Sequence, residues 1–144
     1  MGTPFLLPDQ NDHDSAPFWE GCSRGELLVQ RCGECGMWAH PPRPMCHRCR
    51  SLDRQWVQSN GRGTIWSFVV PHPPLLAPYT DFAPYNVVIV ALDDNPVIRH
   101  VGNLIAEPGA AINSVDGATI QIGEPVAVTF ELIDDVYMPH WVRA

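Results

Sequence analysis

Two cysteine pairs, Cys32-Gly33-Glu34-Cys35 and Cys46-His47-Arg48-Cys49, stand ten residues apart. Each C-x-x-C can present two thiolates at one point, and two such pairs brought together close a tetrahedral shell of four sulfurs, the arrangement that suits zinc. The stretch between them is crowded with turn residues, including Pro41, Pro42 and Pro44, so extended, metal-stapled structure is expected there. A module this small cannot be held by apolar burial alone, and metal binding then supplies much of its folding free energy. A redox dithiol, a disulfide pair and an iron site are the competing readings; a cytosolic setting disfavours persistent disulfides, while iron stays open. Four cysteines leave no free position for a catalytic water, which points to structural zinc held by Cys32, Cys35, Cys46 and Cys49. His40 and His47 are expected at the surface or beside the metal rather than on it, and Cys22 as a small buried hydrophobe. Gly33 and Gly36 are expected to supply the conformational freedom of the tight turns.

The rest of the 144 residues divides around this module. Residues 1–14 hold Pro4, Pro8 and three aspartates, the composition of a flexible tail that orders only against something else. Residues 15–58 form the helix and ribbon: Ser15 as a cap, Pro17 in a first turn, Phe18, Trp19 and Cys22 as an apolar stripe, Gly25 as a stop, then a strand over Glu26 to Arg31. Residues 59–144 change pattern. Thr64 to Val70, Val87 to Leu92, Val97 to Ile105 and Val126 to Ile133 are rich in branched and aromatic residues and read as strands, with weaker candidates at Thr119 to Ile122 and Tyr137 to Val142. The fold class is mainly β: an N-terminal helix, a zinc ribbon, then a five-stranded OB-fold-like barrel, since closure is the economical way to hide pairing edges. Periodicity leaves an SH3-like barrel or a small sandwich open. The glycines of Gly61-Arg62-Gly63 suit a twist or bulge at a barrel corner, because Trp66 stands where a dinucleotide loop needs a third glycine.

Charge narrows the function further. The formal charge is −7, yet residues 31–54 carry five arginines (Arg31, Arg43, Arg48, Arg50, Arg54) against Glu34 and Asp53, a local +3, and the remainder has four arginines against fourteen acids. Every basic residue is arginine, so this chain offers neither a Schiff-base lysine nor a P-loop lysine. Hydrolase signatures are missing, and no spacing assembles His72, His100 or His140 with Asp81 or Asp94 into an acid–base pair. No apolar run approaches the roughly 20 residues of a membrane span, and Met1 to Asp14 lacks the basic and apolar features of a secretory signal, so a cytoplasmic location is expected. Guanidinium forks pair well with phosphate, making Arg43, Arg48 and Arg50, with Trp38 beside them, the expected contacts for the phosphates of a CoA moiety. A single-stranded nucleic-acid backbone is the alternative ligand, opposed by the acidic barrel. Pro71 to Asn86 contains five prolines with Leu75, Leu76, Tyr79, Phe82 and Tyr85, a loop suited either to a partner surface or to folding back over the barrel.

With these residues in view, the chain resembles the DUF35 family, in which a helix and rubredoxin-like zinc ribbon precede an OB-fold. The carriers are Pro17-Phe18-Trp19-Glu20-Gly21, Gly25-Glu26-Leu27-Leu28-Val29-Gln30-Arg31-Cys32, the second knuckle after Pro41-Pro42-Arg43-Pro44, Gly61-Arg62-Gly63-Thr64-Ile65, and the closing Met138-Pro139-His140-Trp141-Val142-Arg143, with Trp141 where phenylalanine is commoner. The resemblance implies an accessory subunit that binds a thiolase-like enzyme acting on acyl-CoA, in one branch an aldol lyase of steroid side-chain breakdown. Catalysis would then belong to the partner and none to this chain. Phe18 and Trp19 are expected to bury apolar surface across that interface.

Overall fold

The computed structural model describes residues 5–144. After the tail, α1 (Ala16–Ser23) leads into β1 (Leu28–Cys32), β2 (Trp38–Ala39) and β3 (Arg54–Gln58); then come β4 (Arg62–Val69), α2 (Ala77–Thr80), β5 (Val87–Leu92), β6 (Arg99–Gly102), β7 (Pro125–Ile133) and β8 (Val136–Arg143). Two antiparallel sheets result, β2-β1-β3 in the ribbon and β6-β5-β4-β7-β8 in the second module.

The five-stranded sheet curls into an OB-fold barrel. Its ends meet where Leu104, just past β6, forms a parallel bridge to Trp141 of β8; Ile105 N–H donates to Trp141 O at 2.8 Å, and Trp141 N–H donates to Asn103 O at 2.9 Å. Alternation along the strands fills the interior with Ile65, Val88, Val90, Val126 and Trp141. The bend is made in β4, where the ladder to β5 slips between Ile65 and Ser67, so Trp66 and Ser67 share one opposite position and the strand turns the corner. Gly63 is close-packed rather than loosely held: a Cβ there would stand 2.5 Å from both Ala91 O and Val90 Cγ1.

Helix and ribbon share one apolar core with the barrel, because Phe18, Cys22, Leu27 and Val29 join the barrel's interior residues in a single cluster. Phe18 is therefore buried within the chain, at 5 % exposure, and the expectation that it faces a partner is corrected; Trp19 is half-buried beside it. Ser15 stands at the N-cap but makes no side-chain cap bond. Its Oγ donates instead to Asp12 Oδ2 at 2.9 Å, and Asp12 O takes the N–H of Ala16 at 2.8 Å, so the turn before the helix is organised by Asp12. Gly25 ends the helical region at φ +74° as expected.

Several expected elements differ. Residues 5–14 of the expected flexible tail lie against the barrel: the Phe5 ring packs 5.3 Å from Tyr79 and 5.1 Å from Phe82, and Gln10 donates to Asp135 O. That is the ordering against something else that its composition requires. Residues 1–4 lie outside the described residues. The loop at 71–86 folds back through these same aromatics and carries α2. The strand expected at Thr119 to Ile122 is replaced by a 3-10 turn at Gly117–Thr119, capped by Asp116 Oδ1 accepting from Ala118 N–H at 3.0 Å. The run from Val97 to Ile105 pairs with β5 only over Arg99–Gly102, since its later residues serve the closing seam. β3 is an additional strand, paired antiparallel with β1.

Candidate metal centre and ribbon surface

Both knuckles have the same backbone. Cys32 O accepts from Gly36 N–H at 3.0 Å and Cys46 O from Arg50 N–H at 2.9 Å; Cys32 N–H donates to Met37 O at 2.8 Å and Cys46 N–H to Ser51 O at 2.9 Å. Each turn ends in a left-handed residue, Gly36 at φ +75° and Arg50 at φ +65°. Glycine adopts that conformation freely, while arginine pays a steric cost for it. Gly33 is required for a different reason from the one its sequence suggests: its φ is ordinary, and a Cβ there would collide with the Asp53 carboxylate.

The two turns bring their sulfurs together. All four Sγ atoms of Cys32, Cys35, Cys46 and Cys49 lie within 4.8 Å of one another, with Cys32 to Cys49 at 3.5 Å and Cys35 to Cys46 at 3.6 Å. A tetrahedron with metal–sulfur bonds of about 2.3 Å has edges of about 3.8 Å, so the donor set fits zinc in both chemistry and size. Backbone amides prepare the thiolates. Cys35 N–H points at Cys32 Sγ and Arg48 N–H at Cys46 Sγ, at 3.5 and 3.4 Å. Backbone N–H groups of Cys35 and Glu34 lower the Cys32 thiol, and those of Cys49 and Arg48 bring Cys46 down to about 6. Cys49 also receives the Ser51 N–H, but the sulfurs of Cys32, Cys35 and Cys46 and its own desolvation push it up to about 11. The neighbouring sulfurs thus oppose a thiolate at Cys49, and a divalent ion is what would permit four thiolates to coexist. Cys22 is apart from this group, fully buried on the inner face of α1 with its thiol raised to about 12 by burial, the inert hydrophobe expected.

The segment joining the knuckles is clamped by a buried amide that sequence reasoning missed. Gln30 of β1 is 3 % exposed; its Nε2 donates to Arg43 O at 2.9 Å and its Oε1 accepts from Arg43 N–H at 2.8 Å. The same Oε1 accepts from Arg54 Nη2 at 2.7 Å. Arg54 is consequently folded inward, with Nε and Nη1 buried and unpaired among the described residues, and is corrected out of the surface patch. Arg43, Arg48 and Arg50 are exposed and carry no ion pair among the described residues. Arg31 is exposed as well, its guanidinium lying over Gly36. Trp38 sits half-buried in β2 and packs against the core, so most of the ring anchors the ribbon rather than offering a free stacking surface.

Trp66, on the outer face of β4, is 49 % exposed with the Arg99 guanidinium 3.8 Å over its ring. Val69 of the same strand and Val101 of β6 are exposed as well, where the solvent side of an antiparallel sheet normally alternates to polar residues. His40 and His100, scattered in sequence, are brought into contact; no motif spacing could have revealed it. Among the described residues no helix is long and apolar enough to cross a membrane.

A four-sulfur ribbon fused through a common core to an OB barrel defines a rubredoxin-like zinc-ribbon and OB-fold protein. Residues 19–53 match the family model of the ChsH2 rubredoxin-like zinc ribbon domain and residues 56–131 that of the ChsH2 C-terminal OB-fold domain. The chain belongs to this family, the DUF35 proteins. It is 32 % identical, over 97 % of its length, to the 3-oxo-4,17-pregnadiene-20-carboxyl-CoA hydratase alpha subunit of Mycobacterium tuberculosis, and 30 % identical, over 65 % of its length, to a DUF35 domain-containing scaffold protein of Methanocaldococcus jannaschii. It spans 42 % of the length of the first and 65 % of the second. Among solved structures, a chain of the Ltp2-ChsH2(DUF35) aldolase superposes with a TM-score of 0.79 at 28 % identity, covering 94 % of this chain and 98 % of that one. A DUF35 protein of unknown function from Sulfolobus solfataricus, at 12 % identity and a TM-score of 0.61, shares the fold.

Proposed function

We propose that this chain is an accessory subunit that docks on a thiolase-like acyl-CoA enzyme, an aldol lyase or thiolase of steroid or lipid breakdown in the cytoplasm, with the carbon–carbon chemistry residing in the partner. The observation that carries this reading is the likeness to the Ltp2-ChsH2(DUF35) aldolase, which spans nearly all of that DUF35 chain. In this reading Cys32, Cys35, Cys46 and Cys49 hold a structural zinc ion, which supplies folding free energy to the ribbon and no reactive ligand position. Arg43, Arg48 and Arg50, exposed and free of carboxylate partners among the described residues, pair with phosphates of the CoA moiety, and the outer edge of Trp38 borders them. The exposed apolar residues around Trp66 are suited to burial against a second protein.

Single-stranded nucleic acid is the lesser reading. The one exposed tryptophan on the barrel already has a guanidinium stacked on it, and the barrel's acidic charge opposes a phosphate track.

Co-expression with a thiolase-like chain encoded beside it tests the proposal. A stoichiometric complex whose lyase or thiolase turnover is absent from either chain alone is the expected result. Failure of every such chain to copurify, together with salt-dependent binding of single-stranded oligonucleotides, would overturn it.

A further inference from the structure

Three histidines separated by a hundred residues of sequence meet where the tail, α1, the ribbon and the barrel join. His40 follows β2, His100 lies in β6 and His140 in β8. The His40 and His100 rings stand 3.8 Å apart between centroids. Phe18 of α1 covers both, 5.7 Å from His40 and 6.0 Å from His100, nearly parallel to the latter. With His140 they line one cleft of about 510 Å³, walled by Trp19 and Pro41 on one side and Met138 on the other.

Two of the three rings are shut away from solvent. His100 is 3 % and His140 6 % exposed, and His100 Nε2 and His140 Nδ1 are buried with no hydrogen-bond partner among the described residues. An imidazolium carries two N–H donors, and a buried donor left unpaired is costly, so each of these rings is compatible with the fold only while neutral. The charged groups that face them do little to change this. From the tail, Asp9 and Asp12 lie at the cleft, and Asp12 is already engaged with Ser15. From β7, Glu131 favours a charged His140 but does not outweigh burial. From the ribbon and β6, His40 and His100 oppose one another's charge, while Arg99 of β6 stands over Trp66 on the outer face. Helix α1 brings no charge to the cleft, only Phe18 and Trp19.

We infer that this cluster is an acid-sensitive latch: neutral, its rings hold α1 and the Pro41-Pro42 corner of the ribbon against β6 and β8; protonated, they release them. Burial holds His40 at about 4 and His100 at about 3, the latter helped by His40, and holds His140 below its ordinary value. All three therefore sit below the roughly 6.5 of a free imidazole, and the open state binds more protons than the closed one. The latch is at full strength above pH of about 6.5 and weakens as pH falls towards 4, up to tenfold in the opening constant per pH unit for each histidine. The His40–His100 pair, in ring contact, takes up its protons in coupled steps, so its two contributions are shared.

The test is hydrogen exchange of the α1 amides in the full, zinc-loaded chain from pH 7 to pH 5, corrected for intrinsic rates, with bound zinc measured at each pH and histidine ring resonances followed by NMR. Protection of α1 is expected to fall at least tenfold while β5 stays protected and zinc stays bound, and in the double variant His40→Gln, His100→Gln that pH dependence is expected to shrink to the share of His140 alone. Two buried histidine rings that do not titrate above pH 5 in the unaltered chain support the latch without recourse to a variant. Ring titration near 6.5 with α1 protection constant, or an equal loss in the double variant as zinc leaves both chains, would overturn it.

Discussion

The ribbon and the barrel solve the same problem with different materials. Each must hold an irregular segment that has few backbone partners of its own, and each does so with a buried side-chain amide: Gln30 grips Arg43 in the ribbon, and Asn86 grips Leu104 in the barrel. Asn86 is fully buried, donates from Nδ2 to Leu104 O at 2.8 Å and accepts Leu104 N–H on Oδ1 at 2.7 Å. The surroundings differ. Asn86 lies in a region lined by Val88, Leu104 and Trp141, all fully buried, whereas the far end of the ribbon has little more than four sulfurs. Apolar burial makes the barrel's clamp one support among many; in the ribbon, metal held by those sulfurs would be the support on which the clamp depends.

The largest effect should come from removing that support. Chelation, or Cys46→Ser, is expected to unfold residues 32–53, where small zinc modules draw about 10–16 kcal/mol from the metal, while β4, β5 and β7 stay protected from hydrogen exchange. The barrel should nevertheless melt at a lower temperature, since Leu27 and Val29 belong to its core. Simultaneous loss of protection in both sheets would dissolve the distinction between the two regions.

A smaller effect separates the clamps. Asn86→Ala strands two buried backbone groups and is expected to cost about 2–4 kcal/mol in urea denaturation of the zinc-loaded chain. Gln30→Ala should cost less, about 1–3 kcal/mol, because the metal still fixes both knuckles around the freed Arg43. A larger loss for Gln30→Ala would place the burden on the amide rather than on the sulfurs.

The smallest effect is a gain. Arg50 occupies the left-handed position that Gly36 fills in the other knuckle, so Arg50→Gly relieves a cost of about 1–2 kcal/mol and loses part of it to the flexibility of glycine in the unfolded chain. A net rise of about 0.5–1 kcal/mol is expected by thermal denaturation, with weaker CoA affinity in the partner complex if Arg50 meets phosphate. An arginine retained at a strained position fits a functional use for it.

Much of the architecture was legible. The bounds of β5 coincide with the branched run Val87 to Leu92, and β7 and β8 fall within a residue of their patterns, because strands buried on one side alternate in sequence as they do in space. β3 was invisible: Arg54-Gln55-Trp56-Val57-Gln58 is too polar to announce a strand and forms because β1 offers it five paired positions. At Thr119 the branched residues point to a strand, and the Asp116 carboxylate two residues before Ala118 wins with a local turn. The convergence of the four cysteines was plain because their geometry is nearly local, each pair set by one tight turn.

Sequence alone therefore determined what depends on short spacing: the sulfur pairs, the alternating strands, the basic ribbon on an acidic chain. Tertiary structure decided what depends on surfaces meeting from distant positions, namely that Phe18 turns inward, that Arg54 folds onto Gln30, and that the rings of His40 and His100 meet. Such pairings carry no periodic mark, since burial and the loss of water are properties of the assembled surface and not of either residue before they meet.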